Sequence, residues 1–181
     1  MIPYITIVVI IILAWWAFRV VARDYRDKQK LSPLSTFIEI AIFFIHACAS
    51  YIYLDSRVSA IDTSSPLFVL AVILMVIGLV GLLFTMFFRL GWSVSTGQKT
   101  EGLRKIGLYR FSRNPQIVTY FLVIAGYALL WPSNFGLIWV CLYMMIAHFM
   151  VRTEEEHLLS LYGDEYRQYC SETPRYVGFL G

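Results

Sequence analysis

Two polar segments in the C-terminal half of this chain carry the residue types that could do chemistry. The first, residues 101–116, is basic, contains Gly102 and Gly107, and ends with Asn114-Pro115 at the start of a hydrophobic run. Glycines let a ligand approach the main chain closely, and the free N–H groups of a helix that begins with proline attract anions. The segment could therefore bind an anionic group, although a basic loop that only fixes membrane topology would have the same composition.

The second segment follows the last hydrophobic run and contains three consecutive glutamates, residues 154–156. His148, Arg152 and one of the last two glutamates are spaced so that they share one face of a helix. Apolar and aromatic residues then recur every three or four positions up to Gly163 and beyond it. This pattern predicts an amphipathic tail helix that leaves the membrane and turns along its surface. The alternative interpretation is a solvated helix end with local ion pairs.

The composition of the chain defines the class of protein that must position these segments. Of 181 residues, 59% are hydrophobic and 15% are charged, with a mean hydropathy of +0.66. A soluble domain has about a quarter of its residues charged, so we predict an all-α integral membrane protein. The net charge of +3 requires no nucleic-acid partner, because the basic residues flank apolar spans. The cysteines have no metal-ligand spacing, and we expect no metal.

Hydrophobic runs predict five transmembrane helices, at residues 2–21, 34–54, 66–88, 115–131 and 134–151. The last two runs are separated by Pro132-Ser133 alone, which predicts a C-terminal helical hairpin. The polar stretch 23–33 is predicted to be a connecting loop. We expect a single membrane domain over residues 1–181, with three N-terminal spans in residues 1–88 and the loop, hairpin and tail in residues 89–181.

Arginine and lysine alternate between the loops and predict the orientation. Five lie in residues 19–30, one in the second loop, six in residues 89–113, none in the fourth loop and three from residue 152 onward. Basic loops stay on the cytoplasmic side. The N-terminus is therefore expected outside, with the loop 101–116 and the tail together in the cytoplasm, where each could supply half of one site.

Polar residues inside the predicted spans are few. Glu39 and His46 lie on one face of the second span, where an ionisable side chain faces a cavity, the substrate path or another helix. Both a functional role and an interhelical hydrogen bond are open for His46. Gly78 and Gly81 in the third span predict close helix packing.

The two polar segments together resemble a known family. The loop that starts at Gly107 and ends with Asn114-Pro115-Gln116, a tight hairpin, and then Glu154-Glu155 are similar to the signature of the isoprenylcysteine carboxyl methyltransferases. These are integral membrane enzymes related to the phospholipid methyltransferases. The similarity extends over the entry motif at residues 90–93 and over the tail. It covers about residues 92–175, and it depends on both motifs in this order around the hairpin.

The resemblance implies a site for S-adenosyl-L-methionine and a lipophilic or lipidated acceptor that enters from the bilayer. The residues that it implies for the cofactor are Gly107, Leu108, Tyr109, Arg113, Asn114, Pro115, Gln116, Glu154 and Glu155. The catalytic candidates are Arg152, Glu155 and Arg113. The chain departs from the family pattern at Asn114, often a histidine, at Ile117 and Thr119, and at Met150, where an arginine is common.

The chemistry of methyl transfer depends on the acceptor. A carboxylate, such as that of an isoprenylated cysteine, requires no general base, and Arg152 or Arg113 could hold it. An amine must lose a proton, so that Glu155, His148 or His157 would have to act as the base. Two other functions stay open from the sequence: an NADPH-dependent reductase of a sterol-like lipid, and a non-catalytic membrane scaffold that retains the fold. The sequence does not predict the oligomeric state or which membrane the protein occupies.

Overall fold

The computed structural model describes residues 2–55, 58–85 and 107–178, and all regular structure in these ranges is helical. The α-helices are α1 (Ile2–Lys28), α2 (Pro33–Asp55), α3 (Pro66–Leu83), α4 (Pro115–Leu130) and α5 (Asn134–Glu172), and a 3-10 turn spans Gly107–Arg110. Gly102 and the entry motif at residues 90–93 lie outside the described residues, as does the first part of the predicted loop.

Four helices of the described chain, α1, α2, α3 and α5, are long and apolar enough to cross a membrane. The chain is therefore a multi-pass membrane protein. The remaining helix, α4, is apolar but has only 16 residues, and about 20 are needed to span the hydrocarbon core. The prediction of helices throughout is confirmed for the described ranges, while the count of five spans stays a prediction.

Helix α1 is longer than the sequence predicted, and the loop predicted at residues 23–33 is wrong at its start. Asp24 and Lys28 form an ion pair of 2.6 Å one turn apart, which keeps the polar end helical. The same carboxylate accepts a hydrogen bond from the backbone N–H of Ser32 at 3.0 Å and so fixes the turn into α2. The helix ends where Gln29 adopts a positive φ of 56°.

Helices α3 and α4 pack against each other through small residues. A Cβ atom on Gly78 would lie 2.5 Å from the carbonyl oxygen of Thr119, and one on Gly126 would lie 2.6 Å from the carbonyl oxygen of Ala71. A Cβ on Gly81 would meet the Thr119 side chain at 2.6 Å. The prediction that Gly78 and Gly81 permit close packing is confirmed, because neither position has room for a methyl group.

Helices α1, α2 and α5 enclose the main hydrophobic core. Its fully buried members include Ile10 and Ala17 of α1 and Ile146 of α5. His46 lies within this core, and its Nε2 is 3.0 Å from the carbonyl oxygen of Trp139 in α5. Of the two roles open for His46, the structure has the interhelical hydrogen bond, which links α2 to α5.

The hairpin of α4 and α5 is confirmed, but α5 does not end with the apolar run. Ser133 caps α5 by accepting a hydrogen bond from the N–H of Gly136 at 3.0 Å. The helix then continues for 39 residues with a kink at Gly163, whose φ of 50° and ψ of −119° are not helical. The predicted break therefore falls at Gly163, within one helix that carries the tail back to the loop. Whether the tail lies along the membrane surface stays a prediction.

Candidate functional site

The loop before α4 is held by the tail of α5. Gly107 opens the 3-10 turn with a φ of 66°, a conformation that glycine adopts without a steric cost. The hydroxyl of Tyr169 donates a hydrogen bond to the carbonyl oxygen of Tyr109 at 2.7 Å. Because Tyr169 lies beyond the kink at Gly163, the bend in α5 brings the tail into contact with the loop.

A second set of bonds joins the loop to the chain after α5. We call residues 173–177 the C-terminal strap. The carbonyl oxygen of Arg175 accepts hydrogen bonds from the Asn114 amide at 3.0 Å and from the Ser112 hydroxyl at 3.3 Å. The carbonyl oxygen of Pro174 accepts one from the backbone N–H of Arg113 at 2.9 Å. The strap is therefore anchored to the loop through its main chain, and its side chains are left to line the site.

Glu155 is the charged centre of this region. Its Oε2 is 2.7 Å from Nη2 of Arg175, and its Oε1 is 3.2 Å from Nη1 of Arg113. The Glu155 and Arg113 side chains are only 13% and 5% exposed, and Arg113 also contacts the thiol of Cys170. One carboxylate is thus shared by two guanidinium groups, in a partly dehydrated setting where charge-assisted hydrogen bonds are strong.

The charges around Glu155 shift the pKa values of its neighbours. Hydrogen bonds to the Glu155 carboxylate raise the pKa of the Arg175 guanidinium. Burial, followed by the Glu155 charge, raises the pKa of the Tyr166 hydroxyl, and burial raises that of Tyr169 to about 12. At neutral pH both tyrosines therefore remain uncharged hydrogen-bond donors, and Arg175 is a cation.

A cavity of about 370 Å³ opens beside Glu155, and we call it the polar cavity. Its lining residues come from the loop, α5 and the strap: Arg113, Arg152, Glu155, Glu156, Leu159, Tyr166, Arg167, Cys170 and Arg175. Four arginines face two glutamates, so the lining has a net charge of +2. Such a cavity favours a ligand with anionic groups, while the carboxylates can accept hydrogen bonds from its donors.

A second cavity of about 530 Å³ lies between α4 and α5, and we call it the apolar cavity. Its lining is almost entirely apolar and aromatic: Ile117, Val118, Phe121, Tyr143, Met144, Met145, Ala147, His148, Phe149, Tyr176 and Val177. Tyr176 follows Arg175 in the strap, so consecutive residues line the two cavities. A cavity with this lining suits a hydrocarbon chain.

Three of the predicted site residues line the polar cavity together. They are Arg113, from the loop before α4, and Arg152 and Glu155, from α5. The guanidinium of Arg152 lies at the rim, 61% exposed and 3.7 Å from the carboxylate of Glu156, which is 72% exposed. No comparison tests the roles of these residues, which stay predictions.

Glu154, predicted to pair with Glu155, faces another part of the protein. It interacts electrostatically with Tyr25 of α1 and Glu39 of α2. Consecutive helical residues point about 100° apart, so the two acids project in different directions. Glu154 lies beyond the predicted span at residues 134–151, and burial together with the Glu155 charge raises its pKa to about 7.

The two histidines considered as bases are also separated. His148 lines the apolar cavity, whereas His157 stacks on Tyr25 at a ring distance of 4.1 Å, on the side of α1. Burial lowers the pKa of His157. Of these two, His148 is therefore the one placed where an acceptor could reach it.

Unsatisfied donors mark where a ligand could bind in the loop. Within the described chain, Nε of Arg113 and Nε2 of Gln116 are buried and have no hydrogen-bond partner. Asn114 precedes α4 without capping it through its side chain, and the buried Pro115 occupies the first turn. The first-turn N–H groups of α4 therefore have no side-chain cap from Asn114, and a ligand carboxylate is the kind of group that would satisfy such donors.

The sequence interpretation missed the strap. It assigned no role to Arg175 or Tyr176, although the family resemblance reached residue 175. A signal was present, since Thr173-Pro174 follows a helical pattern and proline commonly follows a helix C-terminus. This helix end indicates that the chain after it is a separate segment. Ser112, which is 2% exposed, was likewise overlooked because a loop serine carries no pattern of its own.

The described helices define a multi-pass membrane protein with a polar and an apolar cavity lined in part by the same strap. The family model for phospholipid methyltransferases matches residues 65–165, more than half of the chain, and the chain belongs to that family. None of the curated proteins compared with the chain matches it. The predicted resemblance to integral membrane methyltransferases is confirmed. The match begins earlier than expected, directly before the third hydrophobic run, and ends before the strap.

Proposed function

We propose that this protein transfers a methyl group from S-adenosyl-L-methionine to a small lipophilic or amphiphilic acceptor, and that the carboxylate of an isoprenylated cysteine is the first acceptor to test. One observation supports this most directly. A charged cavity centred on Glu155 and an apolar cavity between α4 and α5 are lined by consecutive residues of the strap. An amphiphile could place its head group and its hydrocarbon chain in the two cavities at once.

The residues of the loop and tail fit the polar groups of the cofactor. Its ammonium group and ribose hydroxyls need acceptors, which Glu155 offers. Its carboxylate needs donors, and the unpartnered Arg113 Nε, the Gln116 amide and the first turn of α4 offer these. When bound, the cofactor supplies a methyl group on a sulfonium cation. Gly107, Leu108 and Tyr109 would act indirectly by holding the loop.

The remaining work of the site is to bind and orient the acceptor. With a carboxylate acceptor, an arginine of the polar cavity would hold the attacking group, and no base is needed. Exclusion of water strengthens this contact and favours a reaction in which opposite charges merge, and orientation supplies much of the acceleration. With an amine acceptor, Glu155 or His148 would have to take the proton.

The topology follows from the same proposal. The loop and the tail form one site, and the basic residues of both indicate the cytoplasmic side. We therefore propose an N-terminus outside and a C-terminus in the cytoplasm. The lipophilic acceptor and the surrounding membrane lipids would be the partners, with the acceptor entering from the bilayer.

The first experiment is isothermal titration of the detergent-purified protein with S-adenosyl-L-methionine and with its demethylated product, S-adenosylhomocysteine. We expect micromolar binding of at least one, weakened by Glu155→Gln and little affected by the matched control Glu156→Gln, because the Glu156 side chain is 72% exposed. Binding of NADPH instead would support the reductase alternative. No binding of any of the three would favour a scaffold that retains the fold.

A further inference from the structure

The strap presents one side chain at the boundary between the two cavities. Arg175 lines the polar cavity, and the next two residues, Tyr176 and Val177, line the apolar cavity. The main chain at this point is fixed, because the Arg175 carbonyl oxygen accepts hydrogen bonds from Ser112 and Asn114. The main chain of Arg175 is therefore held at this boundary, and the partner of its guanidinium can change.

The arginines of the polar cavity differ in what they could bind. The Arg113 side chain is 5% exposed and committed to Glu155. Arg152 is 61% exposed and lies at the rim beside Glu156. Arg175 is intermediate at 39% exposure. It is accessible to a ligand and adjoins the apolar cavity through its chain neighbour, which a head group bound there would require.

We propose that Arg175 positions the anionic head of a single-chain amphiphile whose hydrocarbon tail lies in the apolar cavity, and that it is released for this by the binding of the cofactor at Glu155. The commitment to an anionic head follows from the charge of the polar cavity, where three arginines face two glutamates and the fourth arginine, Arg167, pairs with Asp164. The release of Arg175 rests on the proposed function, since it requires the cofactor. The binding of an anionic head group by Arg175 does not.

When Arg175 exchanges Glu155 for the head group of a ligand, each charged group keeps a partner of opposite charge. Arg175 now bonds both carboxylate oxygens of Glu155: its Nε lies 3.1 Å from Oε1 and 2.9 Å from Oε2, and its Nη2 lies 2.7 Å from Oε2. A carboxylate head presents the same planar pair of oxygens to the guanidinium fork, and a phosphate head presents two of its tetrahedral oxygens. If Glu155 turns to the cofactor ammonium, it retains Arg113 as a counter-charge, so neither partner is left alone.

The test uses the full-length protein in nanodiscs and amphiphiles with the same tail: dodecanoate, dodecyl phosphate, dodecanol and dodecylamine. Heats from empty nanodiscs are subtracted to remove partitioning into lipid. We expect the two anions to bind more tightly than dodecanol or dodecylamine. Arg175→Gln should weaken the anions about tenfold or more, the effect of losing a charged hydrogen bond, and leave dodecanol unchanged. Arg175→Lys should retain part of the preference.

Arg167→Gln is the matched control, because Arg167 also lines the polar cavity but is exposed and pairs with Asp164 at 2.6 Å. It should change dodecanoate affinity less than about twofold, within the range expected of an exposed ion pair. Equal loss for dodecanoate and dodecanol in Arg175→Gln would overturn the proposal, as would equal effects of the Arg175 and Arg167 variants. So would dodecanoate binding no better than to empty nanodiscs.

Repeating the titrations with saturating S-adenosylhomocysteine tests the release of Arg175. The affinity for dodecanoate should rise, and by reciprocity dodecanoate should tighten the binding of S-adenosylhomocysteine by the same factor. If S-adenosylhomocysteine binds without this effect, the release is wrong and the proposed function stands. If it does not bind while Arg175 still discriminates anions, the head-group site stands and the proposed function is wrong.

Discussion

Replacing Glu155 with glutamine removes the charge shared by two arginines. The side chain is 13% exposed, and it lies 3.2 Å from the nearly buried guanidinium of Arg113 and 2.7 Å from that of Arg175. Removing one partner of a fully buried pair costs about 3–5 kcal/mol. Arg175 is 39% exposed and can regain water, so solvent screening lowers the expected cost to about 1–3 kcal/mol.

Most of this loss would arise at Arg113. Its Nε is buried without a partner, and after the substitution its remaining side-chain contact is the Cys170 thiol. The amide of glutamine can accept one hydrogen bond but brings no negative charge. The assay is chemical unfolding of detergent-purified protein, compared with Glu156→Gln, which removes an exposed charge one residue away and should cost less than about 0.5 kcal/mol.

The unfolding stability and the cofactor affinity of Glu155→Gln together separate a structural role of Glu155 from a binding role. If Glu155→Gln is as stable as Glu156→Gln, the Arg113–Glu155 pair does not contribute to the fold and the reasoning is refuted. If stability falls as expected while the affinity for S-adenosyl-L-methionine is unchanged, Glu155 holds the loop and tail together without touching the cofactor. A loss of about tenfold or more in affinity, measured where both variants are folded, is the expected result.

Three further predictions concern other positions in the chain. Gly78→Ala should destabilise the protein by about 1–3 kcal/mol, because its Cβ would lie 2.5 Å from the Thr119 carbonyl oxygen; an unchanged melting temperature would contradict this. Asn114→Ala should weaken cofactor binding more than Thr119→Ala, since Asn114 holds the strap and the Thr119 hydroxyl bonds only within α4; equal effects in a titration would refute the ranking. The pKa of Glu154 is raised from 4.5 to about 7, so the folded state favours its protonated form, and stability should fall as pH rises through this interval. Glu154→Gln should reduce this dependence of the free energy of unfolding on pH. If the variant and the unchanged protein have parallel pH profiles of unfolding, Glu154 is not its cause.

The helices could be predicted because their apolar runs are long, whereas two helix ends could not. Residues after 21 and after 151 turn polar, which marks the end of a hydrophobic run but not the end of a helix. Both extensions carry charges one turn apart, Asp24 with Lys28 and Arg152 with Glu156. Such pairs satisfy polar side chains along the helix surface, so the backbone continues where hydropathy stops.

The candidate site was predicted in part for a related reason. A motif identifies which residues occur together, and it correctly indicated that the loop and the tail would meet. It does not specify the direction in which each side chain points. Glu154 and Glu155 are neighbours in the motif, yet the helix turns one toward α1 and α2 and the other toward Arg113. Only the packing of α5 between its neighbours decides this.

Arg175 shows most clearly what the sequence could not predict, because its position depends on three separate parts of the chain. The kink at Gly163 redirects α5, Ser112 and Asn114 anchor the strap, and α4 and α5 form the cavity that Tyr176 enters. The match to the family model ends at residue 165, so the strap lies outside the part of the chain that the model matches. If the matched region supports a chemistry common to the family, then the choice of acceptor can be made by a segment beyond it, at the boundary where a charged head group and a hydrocarbon chain would meet.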